Sequence, residues 1–136
     1  MRILALDPGS VRVGVAVSDE LRILATPLDY IPAEPFADCA RRIGEVIRER
    51  EVVQVVVGMP RNMDGSYGEA AQRARAFVAA LRDVVQVPIR TWDERLTTVR
   101  AQKALREGGA KGNTRDRIDS AAAAVLLQGY LDAQAS

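Results

Sequence analysis

At 136 residues, 48% apolar and 27% charged, the chain has the length and composition of one soluble globular domain with a core of its own. No apolar run approaches the roughly 20 residues that span a bilayer, and Met1-Arg2 leads straight into a candidate strand with no signal-peptide anatomy, which suits a bacterial-type cytoplasm. The chain has no histidine, which excludes Ser-His-Asp and Cys-His catalysis, paired-histidine hydrolysis and histidine zinc sites; a hydrolase built from it must use carboxylates, Lys, Tyr or metal-activated water.

Ile3-Leu4-Ala5-Leu6 reads as a buried strand that ends on a carboxylate, Asp7, before Pro8-Gly9 turns the chain. Asp-Pro-Gly is also good turn chemistry, so Asp7 has a bland explanation as well as a functional one. Val13-Gly14-Val15-Ala16-Val17 alternates large and small residues, as a strand does when something must pass close to one face. After the polar turn Ser18–Arg22 a third strand is expected over Ile23–Ile31, bent or ended by Pro27, giving an antiparallel meander.

Pro32, Glu34 and Pro35 open a helix with Phe36, Ala40, Ile43 and Ile47 on one face. The single cysteine, Cys39, falls on its apolar side and reads as a buried thiol. Val52–Gly58, almost wholly β-branched, reads as a central parallel strand buried on both faces. A glycine-rich loop, Gly58–Gly68, leads to a second helix with Ala71, Ala74, Phe77/Val78 and Leu81 inward. Val87–Glu94 is the fifth strand. A helix capped by Thr97 or Thr98 and running to Arg106, a polar linker over Gly108–Thr114 and a last helix from about Thr114 complete the chain. This order predicts an α/β fold: a mixed five-stranded sheet, three strands antiparallel and two parallel, flanked by helices in a single domain, 1–136.

The net charge is only +1, but it is unevenly placed. Residues 1–89 hold eleven basic and twelve acidic groups, whereas residues 90–117 hold eight basic against four acidic, a distribution suited to an anionic polymer. A solvated helix face is the plainer account of the same cluster. Acids gather at element ends: Asp7, Asp93 and Glu94, and Asp119 with Asp116 a turn earlier. Only one of Asp93 and Glu94 can share a side with Asp7, because successive strand residues alternate. Convergent carboxylates repel unless a cation joins them; hard oxygen donors suit Mg²⁺ or Mn²⁺, and two such ions can activate water and stabilise a leaving oxygen in phosphodiester hydrolysis. In the loop, Asn62 and Ser66 could meet a phosphate or a base edge, or could satisfy their own Asp-Gly turn.

L-D-P-G-S-V-R-V-G-V-A-V-S-D (Leu6–Asp19), G-M-P-R-N-M-D-G-S (Gly58–Ser66), D-E-R-L-T-T (Asp93–Thr98) and R-I-D-S-A-A-A (Arg117–Ala123) together resemble the YqgF family, the RuvX-type homologues of RuvC-like Holliday junction resolvases, also described as pre-16S rRNA nucleases. The four motifs stand in family order and cover essentially the whole chain. The resemblance implies a ribonuclease H-like fold, a divalent-metal site and a part in bacterial cytoplasmic ribosomal RNA maturation. Pre-rRNA is the implied partner, in ribosomal precursor particles or alone. It assigns Asp7, Glu94 and Asp119 as the catalytic metal ligands, choosing Glu94 over Asp93. It implies substrate or support roles for Arg12, Arg95 and Thr97 and strengthens that of Asn62, with Ser66 and Arg117 as further contacts. Arg117 stands where relatives often have Lys; it keeps the charge but cannot donate a proton. Asp116 is an extra acid read as complementing a helix dipole.

DNA junction resolution is a rival substrate for the same chemistry. A non-catalytic nucleic-acid-binding module is a second class, disfavoured by the intact acids. An actin-like or sugar-kinase ATPase is a third, disfavoured because such proteins need two such domains and this chain has length for one.

Overall fold

Residues 1–60, 68–93 and 120–135 are described in a computed structural model of the chain. The helix expected after Thr97, the polar linker, most of the glycine-rich loop and the first turns of the last helix lie outside the described residues, as does nearly all of the basic segment.

The first three strands are β1 (Arg2–Pro8), β2 (Arg12–Ser18) and β3 (Ala25–Pro32), paired antiparallel as a meander. Two more, β4 (Val52–Met59) and β5 (Ile89–Asp93), join parallel, giving the order β3-β2-β1-β4-β5. The crossovers are helical: α1 (Phe36–Glu49) links β3 to β4, and α2 (Glu69–Arg82) links β4 to β5. A last helix, α3 (Ala121–Ala135), follows. Among the described residues no helix is long and apolar enough to cross a membrane.

Strand alternation divides the core in two. Leu4, Leu6, Val13, Val15, Val55 and Val57 face Cys39 and Ile43 of α1 and Val78 and Leu81 of α2. Ile3, Ala5, Ala16 and Val56 face Ala123, Ala124, Leu126 and Leu127 of α3. The small side chains Ala5 and Ala16 lie where α3 packs, so the large-small alternation of β2 lets a helix come close on one face only. Each fully buried leucine contributes about 1.5–3 kcal/mol, and Leu4, Leu6, Leu81 and Leu127 are wholly inaccessible. Cys39 is buried as the periodicity predicts, and that burial pushes its thiol pKa up, keeping it protonated and inert. On the outer face of α1, Arg41 pairs with Glu45 at 3.1 Å, offsetting the like charge of Glu45 and Glu49.

β3 begins at Ala25, two residues later than expected. The Asp19 carboxylate accepts the Ile23 and Leu24 N–H groups at 2.7 and 3.0 Å, folding residues 19–24 into a turn. Those bonds, chiefly the one from Leu24, hold the Asp19 pKa below the ordinary carboxylate value. Gln128 of α3 then fixes the start of β3: its Oε1 accepts the Ala25 N–H at 3.0 Å and its Nε2 donates to the Ile23 carbonyl at 2.8 Å. This buried side chain is thereby satisfied on both sides.

The β1–β2 turn is tight. Gly9 N–H donates to the Arg12 carbonyl at 2.9 Å, and a Cβ on residue 9 would stand 2.6 Å from that same oxygen. Gly9→Ala is therefore expected to cost about 1–3 kcal/mol of stability, since backbone must move to admit a methyl group. A denaturant midpoint equal to wild type would show that the turn opens freely.

Candidate active site

The parallel strands β1, β4 and β5 end on one edge of the sheet, where open α/β sheets bind their ligands. Asp7 stands there. It is on the α3 face, because Ile3 and Ala5 of the same strand face α3 while Leu4 and Leu6 face the other helices. Its β2 partner is Gly14. On the other side, one step beyond the Leu6↔Val57 pair, lies Gly58, which in turn pairs with Trp92. Asp7 is thus flanked along its row by two residues without side chains, and its half-buried carboxylate is not crowded from either strand. Trp92 closes the row, edge-on to Tyr130 of α3 with ring centroids 5.0 Å apart. Its buried indole Nε1 has no hydrogen-bond partner among the described residues.

The start of α3 is anchored at the same place. The β2–β3 ladder slips register between Val13 and Val15, so that Asp29 and Tyr30 together oppose Gly14. At this irregularity the Val15 N–H donates to Ser120 Oγ at 3.0 Å, and the Ser120 carbonyl receives the Ala124 N–H at 3.0 Å. Ser120 is completely buried. One hydroxyl therefore joins the beginning of the last helix to the residue beside Gly14, across 105 positions of sequence.

Of the expected site residues, Asp7 and Arg12 are described. Arg12, the first residue of β2, is exposed, and its guanidinium carbon lies 5.0 Å from the centre of the Tyr30 ring. Asn62, Ser66, Glu94, Arg95, Thr97, Arg117, Asp116 and Asp119 lie outside the described residues. Among the described residues no three His, Cys, Asp or Glu side chains gather to hold an ion. Asp93 ends β5, and by alternation with Trp92 it faces away from Asp7. Ser120 and Tyr30 were not expected. Ser120 stands in the R-I-D-S stretch beside Asp119, but its bond to Val15 depends on a strand irregularity with no local signature; Tyr30 carries no motif.

Residues 1–133 match the RuvX family, described as Holliday junction resolvase. The chain is 45% identical over 137 residues to a protein of Symbiobacterium thermophilum named "Putative pre-16S rRNA nuclease", covering all of this chain and 95% of that one. A protein of the same name from Pelotomaculum thermopropionicum is 43% identical, covering 98% of this chain and 88% of its own. Among solved structures, T. thermophilus RuvC in complex with a Holliday junction superposes with a TM-score of 0.64 at 16% identity, over 100% of this chain and 97% of that one. The fowlpox virus resolvase bound to junction DNA gives 0.58 at 12% identity, with both chains fully covered. The fold is RuvC-like and ribonuclease H-like, and the sheet order matches it.

Proposed function

The chain belongs to the RuvX family, and from that premise we propose that it is a divalent-metal-dependent nuclease that hydrolyses phosphodiester bonds, its substrate the 5′ end of pre-16S ribosomal RNA and its setting the cytoplasm, in ribosomal precursor particles or on the free RNA. A single domain, 1–136, would do this work. The observation that carries the reading is Asp7 between Gly14 and Gly58, on the sheet edge and face where the last helix begins.

Asp7, Glu94 and Asp119 would hold the metal. Two chain neighbours support this set. Trp92 faces α3, so continuing the alternation of β5 to residue 94 would bring Glu94 to Asp7's side. Asp119 precedes Ser120 by one peptide unit, about 3.8 Å between Cα atoms, and Ser120 is bonded to the residue next to Asp7's partner. The donor chemistry fits a hard ion: there is no histidine, and the one thiol is buried on the opposite side of the sheet. Mg²⁺ or Mn²⁺, bound as two ions, supplies water activation and stabilisation of developing charge. Arg12, Asn62, Ser66, Arg95, Thr97 and Arg117 would contact the substrate, placing its phosphates by charge and hydrogen bonding.

The test is cleavage by purified protein of an end-labelled RNA carrying the 16S leader, with Mg²⁺ or Mn²⁺, beside a four-way DNA junction. Expected is metal-dependent cutting of the RNA, stopped by chelator and restored by excess Mn²⁺. Selective cutting of the junction would replace the RNA reading with resolution. Folded protein that cuts neither with any metal would overturn the proposal.

A further inference from the structure

We infer that Tyr30 is a positioning residue, whose ring holds the Arg12 guanidinium at the Asp7 edge of the sheet to receive a phosphate of the bound nucleic-acid strand. This deepens the reading of the site as a nucleic-acid site and rests on it.

The geometry begins with the irregularity between β2 and β3. Val13 and Ile31 pair and both enter the core beneath α1 and α2. Arg12 and Tyr30, each one residue away, therefore turn to the opposite face, which is Asp7's. The extra residue in β3 is what restores Tyr30 to that face: Leu28, paired with Val15, packs into the core beneath α1 and α2, as Ile31 does three positions later. Arg12 pairs directly with Pro32, so Tyr30 is its diagonal neighbour, within reach of long side chains. The guanidinium carbon is 5.0 Å from the ring centre, inside the range of a cation–π contact.

A guanidinium stacked on a ring uses its flat face. Its N–H donors lie in the plane, at the edge, and these are the groups that form paired bonds to phosphate oxygens. An exposed arginine loses much rotamer freedom when it grips an anion. A ring that already fixes the group removes part of that loss, so binding is tighter with no added contact. Asp7 and Gly14 are paired, and Arg12 is two residues from Gly14 on the same face, so Arg12 and the carboxylate that would carry the metal stand on one face at one edge of the sheet. Tyr30 itself is half-buried at the edge strand and contributes through Arg12.

The experiment is a double-mutant cycle read as binding, in an Asp7→Asn background so that cleavage does not interfere. The probe is a fluorescent single-stranded RNA oligonucleotide, titrated at several salt concentrations. Arg12→Ala is expected to weaken binding about five- to tenfold and to lower the slope of log K against log salt by about 1. Tyr30→Leu alone is expected to weaken binding about threefold, the size of an exposed cation–π contact, and Tyr30→Phe to bind within about twofold of the parent. Added to Arg12→Ala, Tyr30→Leu is expected to do nothing more. Should Tyr30→Leu melt early, Tyr30→Thr, well suited to an edge strand, takes its place. Full additivity, no loss from Tyr30→Leu, or Tyr30→Phe as harmful as Leu would each overturn the inference. A coupled cycle with a wild type that never cleaves would sink the nuclease reading alone; active cleavage with an uncoupled cycle would sink this one alone.

Discussion

Asp7→Asn is expected to abolish cleavage, by on the order of 10³-fold or more, while leaving the protein folded and able to bind RNA. An amide in place of the carboxylate removes a full negative charge from the position where a divalent ion would be held, and several kcal/mol of transition-state stabilisation would depend on that ion. The substitution is isosteric. It sits between Gly14 and Gly58, where no neighbouring side chain in the row has to adjust. Calorimetry or thermal melting gives a second readout. Metal that binds only the native state would raise the melting temperature of wild type with the logarithm of its concentration once that exceeds Kd, and the Asn variant should lose that rise. A variant that cuts at wild-type rates, or wild type and variant stabilised equally by Mn²⁺, would remove Asp7 from the centre of the site.

Ser120→Ala is expected to cost about 1–3 kcal/mol in stability and to slow cleavage by up to about 10²-fold. The stability loss follows from the buried Val15 N–H, which donates to Ser120 Oγ at 3.0 Å and would lose its acceptor. The rate loss follows from position. Ser120 is the chain neighbour of Asp119, the proposed metal ligand, and a displacement of about 1 Å there would be enough to cost about 10²-fold. Ser120→Thr keeps the hydroxyl and should recover much of both if the added methyl group fits. Denaturant unfolding and single-turnover rates check the two effects separately. A stable, fully active Ala variant would show that the helix start is held by its alanines alone.

Much of this architecture is written in local pattern. The nearly continuous β-branched run Val52–Val57 reads as a parallel strand buried on both faces, and it is the interior parallel strand β4. Ala71, Ala74, Val78 and Leu81 announced the inner face of α2 by spacing alone. Boundaries shifted where a side chain competed with the backbone: Ile23 and Leu24 look like strand, but Asp19 draws them into a turn. The fifth strand starts at Ile89 instead of Val87, just past Pro88, which has no N–H to give a ladder. Asp7 was legible as a strand-end acid, although β1 runs one residue further, to Pro8. The choice between Asp93 and Glu94 was not legible from spacing, since parity needs an outside reference. The Trp92–Tyr130 contact shows which side residue 92 takes, and so that Asp93 faces away from Asp7; Glu94 itself lies outside the described residues. Ser120 on Val15 and Gln128 on Ala25 were invisible for a different reason: each joins groups more than 100 positions apart, and no local pattern encodes such a meeting.

The helix that packs across β1, β2, β3 and β4 follows all five strands in the sequence. Synthesis at roughly 5–20 residues per second leaves a nascent chain with all five strands emerged but Ile3, Ala5, Ala16 and Val56 uncovered until Ala121–Ala135 clears the ribosome. For that interval the growing protein presents a sticky, half-finished layer to the cell, the kind of surface that chaperones hold and that premature termination turns into aggregate. A stop codon placed just before residue 120 would therefore do more than remove a site; it should yield a product that never leaves the insoluble fraction.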